Sequence, residues 1–193
     1  MSELQAPDWS LEFIQKLGAR QPTFAKILCH LHEHPTKRII ETGTARIEGN
    51  WEGDGQSTLI WDKYANIYGA EVLSIDISPK NVEIACKQCS DKTTFMVGDS
   101  VFWLNQLTDK VLSECGLLYL DSFDLDRKDP SPSAFHHMKE LCAIYAKLPP
   151  GCLIVVDDRI DNRIGKHYLI EDFFNSLKIR PIFSGYQIGW VRP

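Results

Sequence analysis

Ile39-Ile40-Glu41-Thr42-Gly43-Thr44-Ala45 (residues 39–45) is an apolar run that ends on an acid and passes at once into a glycine turn. Beyond it the chain continues through Arg46 to Asp54 and opens a helix at Gly55-Gln56-Ser57-Thr58. A strand that turns through glycine towards a helix lets the backbone approach a ligand, and the helix N-terminus offers unpaired N–H groups. The expected contacts are Gly43 and Thr44 in the turn and Gly55 and Ser57 at the helix opening. A nucleotide phosphate would suit the same turn, but no G-x-x-x-x-G-K-[ST] is present, which argues against a nucleoside triphosphatase.

Four more apolar runs follow: EVLSIDI (71–77), TTFMVGD (93–99), GLLYLDS (116–122) and GCLIVVDD (151–158). Helical patterns lie between and beyond them at 57–66, 79–88, 100–107, 133–147 and 165–177. Residues 179–183 and 186–192 read as a closing pair of strands joined by Ser184-Gly185. Runs rich in Ile, Val and Leu without polar alternation belong to strands buried on both faces. The spacing predicts an α/β fold, a doubly wound, mostly parallel seven-stranded sheet with a C-terminal antiparallel strand. Residues 1–35 are expected to form an N-terminal helical segment available as a lid, with residues 36–193 as the main domain.

Bulk properties exclude several classes. The 193 residues suit one domain of ordinary size, and the net charge of −5 gives no electrostatic case for nucleic acid or an anionic membrane. No apolar run approaches the roughly 18 to 20 residues of a membrane span. The opening MSELQAPDWS lacks a basic n-region and an apolar core, so no secretory signal is expected. The six cysteines fall largely in apolar segments, as small hydrophobes do, and Cys86-Lys-Gln-Cys89 is a lone CxxC without a second pair. A reduced, cytoplasmic setting is the expectation.

In such sheets ligands bind beyond the carboxyl ends of the strands. Acids stand at each of these ends: Glu41, Asp76, Asp99, Asp121, Asp157 and Asp158. Asp76, followed by Ile77, can accept both hydroxyls of a ribose. The plainer role is to cap the next helix, but Ser78-Pro79 already fills it. Asp99 could accept from an adenine amino group while Ser100 bonds a ring nitrogen, although a helix cap explains both residues equally well.

The ordered set E-T-G-T…G-Q-S-T, S-I-D-I-S, G-D-S, L-Y-L-D and P-G-C-L-I-V-V-D-D resembles the class I S-adenosylmethionine-dependent methyltransferases, with their Rossmann-like fold, over residues 38–193. Within them it is most similar to the metal-dependent sugar O-methyltransferases of the macrocin O-methyltransferase and cephalosporin hydroxylase-like type. The resemblance implies that Glu41 and Gly43 face the methionine part of the cofactor, Asp76 the ribose, and Asp99 with Ser100 the adenine.

Asp121, Asp157 and Asp158 at neighbouring strand ends suit a hard cation such as Mg2+, which would relieve their mutual repulsion. The resemblance implies the same three as metal ligands. Otherwise Asp121 is a cofactor-edge residue and Asp157-Asp158 the solvated start of a loop. The sugar enzymes carry a proposed base two positions after the first ligand, where this chain has Phe123; Asp124 or Asp126 could replace it if residues 122–126 form a longer loop. His136 or His137 could take the acceptor's proton near neutral pH, though a helix histidine is more often a surface group. Residues 46–54, with Trp51, read as a flap over the cofactor or as a surface insertion.

The resulting expectation is methyl transfer from S-adenosylmethionine to a small hydroxyl acceptor, a sugar or related metabolite, assisted by a divalent metal. A metal-dependent hydrolase or a nucleotide-binding protein on the same fold is the alternative. Oligomeric state stays open, a homo-oligomer being compatible with sites that related enzymes complete across subunits.

Overall fold

The structure, a computed structural model, describes residues 6–193; the first five residues of the N-terminal segment lie outside the described residues. A 3-10 turn (Asp8–Ser10), α1 (Leu11–Ile14), a second such turn (Gly18–Arg20) and α2 (Gln21–Glu33) lead to β1 (Arg38–Thr42). Next come α3 (Trp51–Asp54), α4 (Ser57–Tyr68), β2 (Glu71–Asp76), α5 (Pro79–Cys86), β3 (Thr93–Val97), α6 (Ser100–Gln106) and α7 (Asp109–Leu112). The chain closes with β4 (Cys115–Leu120), α8 (Ser131–Ile144), β5 (Leu153–Val156), α9 (Tyr168–Ser176), β6 (Phe183–Ser184) and β7 (Ile188–Val191).

Among the described residues the strands make one seven-stranded sheet in the order β3-β2-β1-β4-β5-β7-β6. β3 through β5 are parallel, and β7 runs antiparallel to both β5 and β6. The expected architecture is therefore present. Successive side chains of a strand point to opposite faces, which sorts the apolar runs into two cores. Ile39, Leu117, Tyr119, Leu153 and Val155 meet Phe24, Ile27 and Leu31 of α2 and Trp61 and Tyr64 of α4. Ile40, Leu118, Leu120, Ile154 and Val156 meet Leu104 of α6, Leu141 of α8, Phe174 of α9 and Trp190 of β7. With each large apolar side chain contributing about 1.5–3 kcal/mol on burial, the two cores supply most of the drive to this arrangement.

Several boundaries move, each for a local reason. The N-terminal segment, read as helical and available as a lid, packs α2 as a layer of the first core, with Phe24 stacked on Trp61 at 5.6 Å. Residues 165–167, expected in a helix, form a loop because Gly165 bridges to Arg159 and α9 starts only at Tyr168. The strand expected at 179–183 shrinks to Phe183–Ser184, since Pro181 has no N–H to give a ladder. The short helices α3 and α7 escape a reading based on periodicity. No described helix is long and apolar enough to cross a membrane.

Candidate functional site

The turn after β1 is held from below by a buried acid. Glu41 is 0% exposed and accepts hydrogen bonds from the hydroxyls of Ser57 and Thr58 of α4 and Ser74 of β2. Thr58 Oγ1 donates to Glu41 Oε2 at 2.7 Å and accepts from the Ala45 N–H at 3.0 Å, so the acid fixes the turn through one hydroxyl. Burial raises the Glu41 carboxyl to about 7, with the three hydroxyls pulling it back down. Glu41 thus lies under the turn and does not face the cleft. Gly43 adopts φ +82°, and a Cβ there would stand 2.4 Å from the carbonyl oxygen of Asp121. Only glycine lets β1 turn this close to the end of β4.

Above the turn, a cleft with two lobes opens at the carboxyl ends of β1 to β4. The polar lobe is walled by Gly43, Thr44, Arg46, Ser57, Asn81 and Asp124 among others, and the apolar lobe by Ile75, Gly98, Phe123 and His136. Asp76, Ile77, Gly43 and Ser122 border both. The lobes hold cavities of about 120 and 60 Å3. Asp76 accepts from Thr44 N at 3.1 Å and Ser78 N at 2.7 Å, and Asn81 Nδ2 lies 3.3 Å from Oδ1. These partners lock its rotamer, and with two oxygens the carboxylate retains acceptor capacity towards the cleft. Ile77 is 72% and Phe123 44% exposed, two large apolar side chains left facing solvent on the same lobe. Asp99 caps α6 by accepting from Phe102 N at 2.8 Å while still lining the apolar lobe. The Ser100 hydroxyl is committed to Glu140 and to His136 Nε2, the latter at 2.9 Å.

The three acids expected as metal ligands do converge, but on cations of the chain. Lys166 Nζ contacts Asp121 Oδ1 and lies 3.1 Å from Asp158 Oδ2. Arg20 Nε lies 3.4 Å from Asp157 Oδ2 and its Nη2 3.5 Å from Asp158 Oδ1. Asp157 also accepts from Tyr119 Oη at 2.9 Å and Gln187 Nε2 at 2.7 Å, and Asp158 from Tyr186 Oη at 2.9 Å. Burial works against the Lys166 charge, yet the pull of Asp121, Asp158 and Asp157 outweighs it and holds the ammonium above its usual value. Among the described residues no group of three His, Cys, Asp or Glu side chains is arranged to hold a metal. The donor set therefore does not fit a divalent cation, because Lys166 and Arg20 already stand against the three carboxylates, and Tyr and Gln side chains bond Asp157 and Asp158.

Other expected positions are corrected by packing. His137 is fully buried with Nδ1 2.6 Å from the Ser133 carbonyl, and burial lowers it to about 4, so it serves the interior of α8 and not the cleft. Its neighbour His136 does line the apolar lobe. Gly55 packs beside the Arg20 side chain, away from the cleft. Trp51 packs on Phe13 at 5.4 Å, so the expected flap is pinned to α1, while Arg46 and Asp54 from the same stretch reach the polar lobe. Asp124 lies at the cleft mouth, its side chain 80% exposed and 2.7 Å from Arg46 Nη1. Arg20, Arg46, Asn81 and Lys166 were not singled out by sequence; the only available signal was that three adjacent acids require compensating charge.

Solved structures share this fold. The MycE methyltransferase from the mycinamycin biosynthetic pathway, in complex with Mg, SAH and mycinamycin VI, matches at a TM-score of 0.64 and 14% identity, over 98% of this chain and 55% of that one. CalS11, a TDP-rhamnose 3'-O-methyltransferase of calicheamicin biosynthesis, matches at 0.54 and 14% identity, over 96% of this chain and 86% of that one. The O-methyltransferase NovP matches at 0.50 and 12% identity, over 94% and 78% of the two chains. The chain thus spans about half the length of MycE. At these identities the likeness establishes the Rossmann-like methyltransferase fold. No family model matches the chain, and no curated protein matches it by sequence.

Gly43→Ala places a methyl group against backbone atoms of Asp121 in a backbone region unfavourable to alanine. It is expected to cost at least about 3 kcal/mol in denaturant unfolding, as strain and overpacking add; a cost below about 1 kcal/mol would refute the close approach. Glu41 binds its proton more tightly folded than unfolded, so its contribution is complete below about pH 4.5 and lost as pH rises to about 7. The stability of wild type relative to Glu41→Gln should therefore fall by roughly 2–3 kcal/mol between about pH 5 and pH 8. A pH-independent difference would contradict the raised value.

Proposed function

We propose that this chain is an S-adenosylmethionine-dependent methyltransferase that acts on a hydroxyl group of a small acceptor. The observation that carries the reading is Asp76 at the junction of a polar and an apolar lobe. A nucleoside joined to a charged amino acid has that sequence of chemistries: a flat base, a diol and a zwitterion. The fit is to the residues themselves. Asp76 would accept the two ribose hydroxyls, and Ile77 and Phe123 would cover the faces of the base, removing their exposed apolar surface from water. Arg46, held on the polar lobe by Asp54 and Asp124, would turn its remaining guanidinium N–H groups to the amino-acid carboxylate, with Thr44 and Ser57 beside it. The turn at Gly43 admits the ligand against bare backbone.

When bound, S-adenosylmethionine supplies a sulfonium methyl that is already electrophilic. What remains for the protein is alignment, exclusion of water and removal of one proton from the acceptor hydroxyl. Asp124, which lines the polar mouth, would take that proton. His136 sits in the lobe assigned to the base, where with Ser100 it would border the purine edge. The pairing of Asp121, Asp157 and Asp158 with Lys166 and Arg20 speaks against a metal-assisted step in this chain, although MycE was solved with Mg, and against the hydrolase alternative that needs the same carboxylates free. The solved neighbours named for TDP-rhamnose and mycinamycin VI support a hydroxylated acceptor, as does the polar mouth lined by Arg46, Asp54 and Asp124.

Calorimetric titration with S-adenosylhomocysteine tests the reading. Wild type is expected to bind, and Asp76→Ala to bind about 10- to 100-fold more weakly, as one or two hydrogen bonds to a charged group are lost. No binding by wild type at millimolar ligand would defeat the proposal, and equal affinities would remove Asp76 from the site.

A further inference from the structure

We propose that Lys166, with Arg20, is the resident cation of the acidic strand ends, so that this chain neutralises Asp121, Asp157 and Asp158 internally and works without a divalent metal. The claim concerns the chain's own residues, and although it deepens the methyltransferase reading, its metal test does not depend on cofactor binding.

The geometry is that of a built site. The Lys166 side chain is 3% exposed and spans the ends of two neighbouring strands, contacting Asp121 after β4 and Asp158 after β5. Its ammonium also approaches the Asp121 carbonyl oxygen at 3.5 Å. The loop that delivers it is tied back on itself by the Arg159–Gly165 bridge. A Cβ at Gly165 would meet the Asp158 carbonyl at 2.6 Å, so the residue before the lysine must be small for the loop to close. Arg20 completes the arrangement from the other side. Its Nη1 donates to the Glu52 carbonyl at 2.9 Å, and the guanidinium lies over the Tyr186 ring at 4.4 Å, which fixes its orientation towards Asp157 and Asp158. Two fixed cations thus face three carboxylates, and the hydroxyls of Tyr119 and Tyr186 and the amide of Gln187 take up remaining lone pairs.

A Mg2+ ion entering here would have to displace a buried ammonium from between two carboxylates and leave it unpaired. Mg2+ parts reluctantly with its own water and gains little from oxygens already engaged. Lys166 is best described as a positioning residue: Asp121 borders the cleft, and the ammonium holds it in register with the end of β5.

The test uses Mn2+ binding followed by electron paramagnetic resonance on the full chain, alongside S-adenosylhomocysteine affinity in EDTA and in Mg2+. Wild type should show no specific Mn2+ site up to millimolar metal, and the same ligand affinity in both buffers. Lys166→Met, which keeps the unbranched stem and removes the ammonium, should acquire Mn2+ binding at least about tenfold tighter than wild type. Lys166→Arg should fold and stay blind to Mn2+. A wild-type Mn2+ site in the micromolar range would overturn the proposal, as would a folded Lys166→Met that gains no metal. If Lys166→Met does not fold, the wild-type and Lys166→Arg titrations decide: binding by either overturns the proposal, and binding by neither supports it. Failure to bind S-adenosylhomocysteine in every buffer would sink the methyltransferase reading and leave the metal result standing.

Discussion

A parallel sheet delivers the ends of its strands to one edge, and in this chain each of those ends carries an acid. Like charges brought together in a partly dehydrated space must be neutralised where they stand or the edge cannot form. Each carboxylate meets this constraint in its own way. Glu41 is raised by its burial and answered by three donated hydroxyls that steady its charged form. Asp76 accepts backbone N–H groups from the turn after β1 and from the start of α5. Asp99 caps a helix. The remaining three share Lys166 and Arg20.

These solutions rank the acids by what they can still do. Glu41 and Asp157 are spent on structure, since each is almost fully buried and neither borders the cleft. Asp76 is different because its partners fix its orientation while one side of it borders both lobes of the cleft. The proposed chemistry asks little more of the scaffold. A ligand with its own reactive methyl needs a rigid seat and a nearby acceptor of one proton, the two places that the proposed function gives to Asp76 and Asp124.

Much of the fold could be read from residue order, because strands buried on both faces write themselves as unbroken runs such as Leu153 to Val156. Of the acidic strand ends, Asp76, Asp99 and Asp121 border the cleft. What could not be read depends on contacts between distant parts of the chain. Arg20 meets Asp157 across 137 positions, and nothing near either residue announces the other. His136 and His137 are adjacent in sequence but about 100° apart on their helix, so only the packing of α8 decides which one sees the cleft. The neutralising charge at β4 and β5 is hidden for the same reason: three acids demand positive charge, but sequence does not say whether an ion or a lysine brings it.

The most direct measurement is a crystal structure of the chain grown with S-adenosylhomocysteine. The ribose hydroxyls should lie on the Asp76 carboxylate, with the purine between Ile77 and Phe123 and the amino-acid end towards Arg46. Density for the ligand elsewhere on the chain, or within the cleft but out of reach of Asp76, would contradict this assignment.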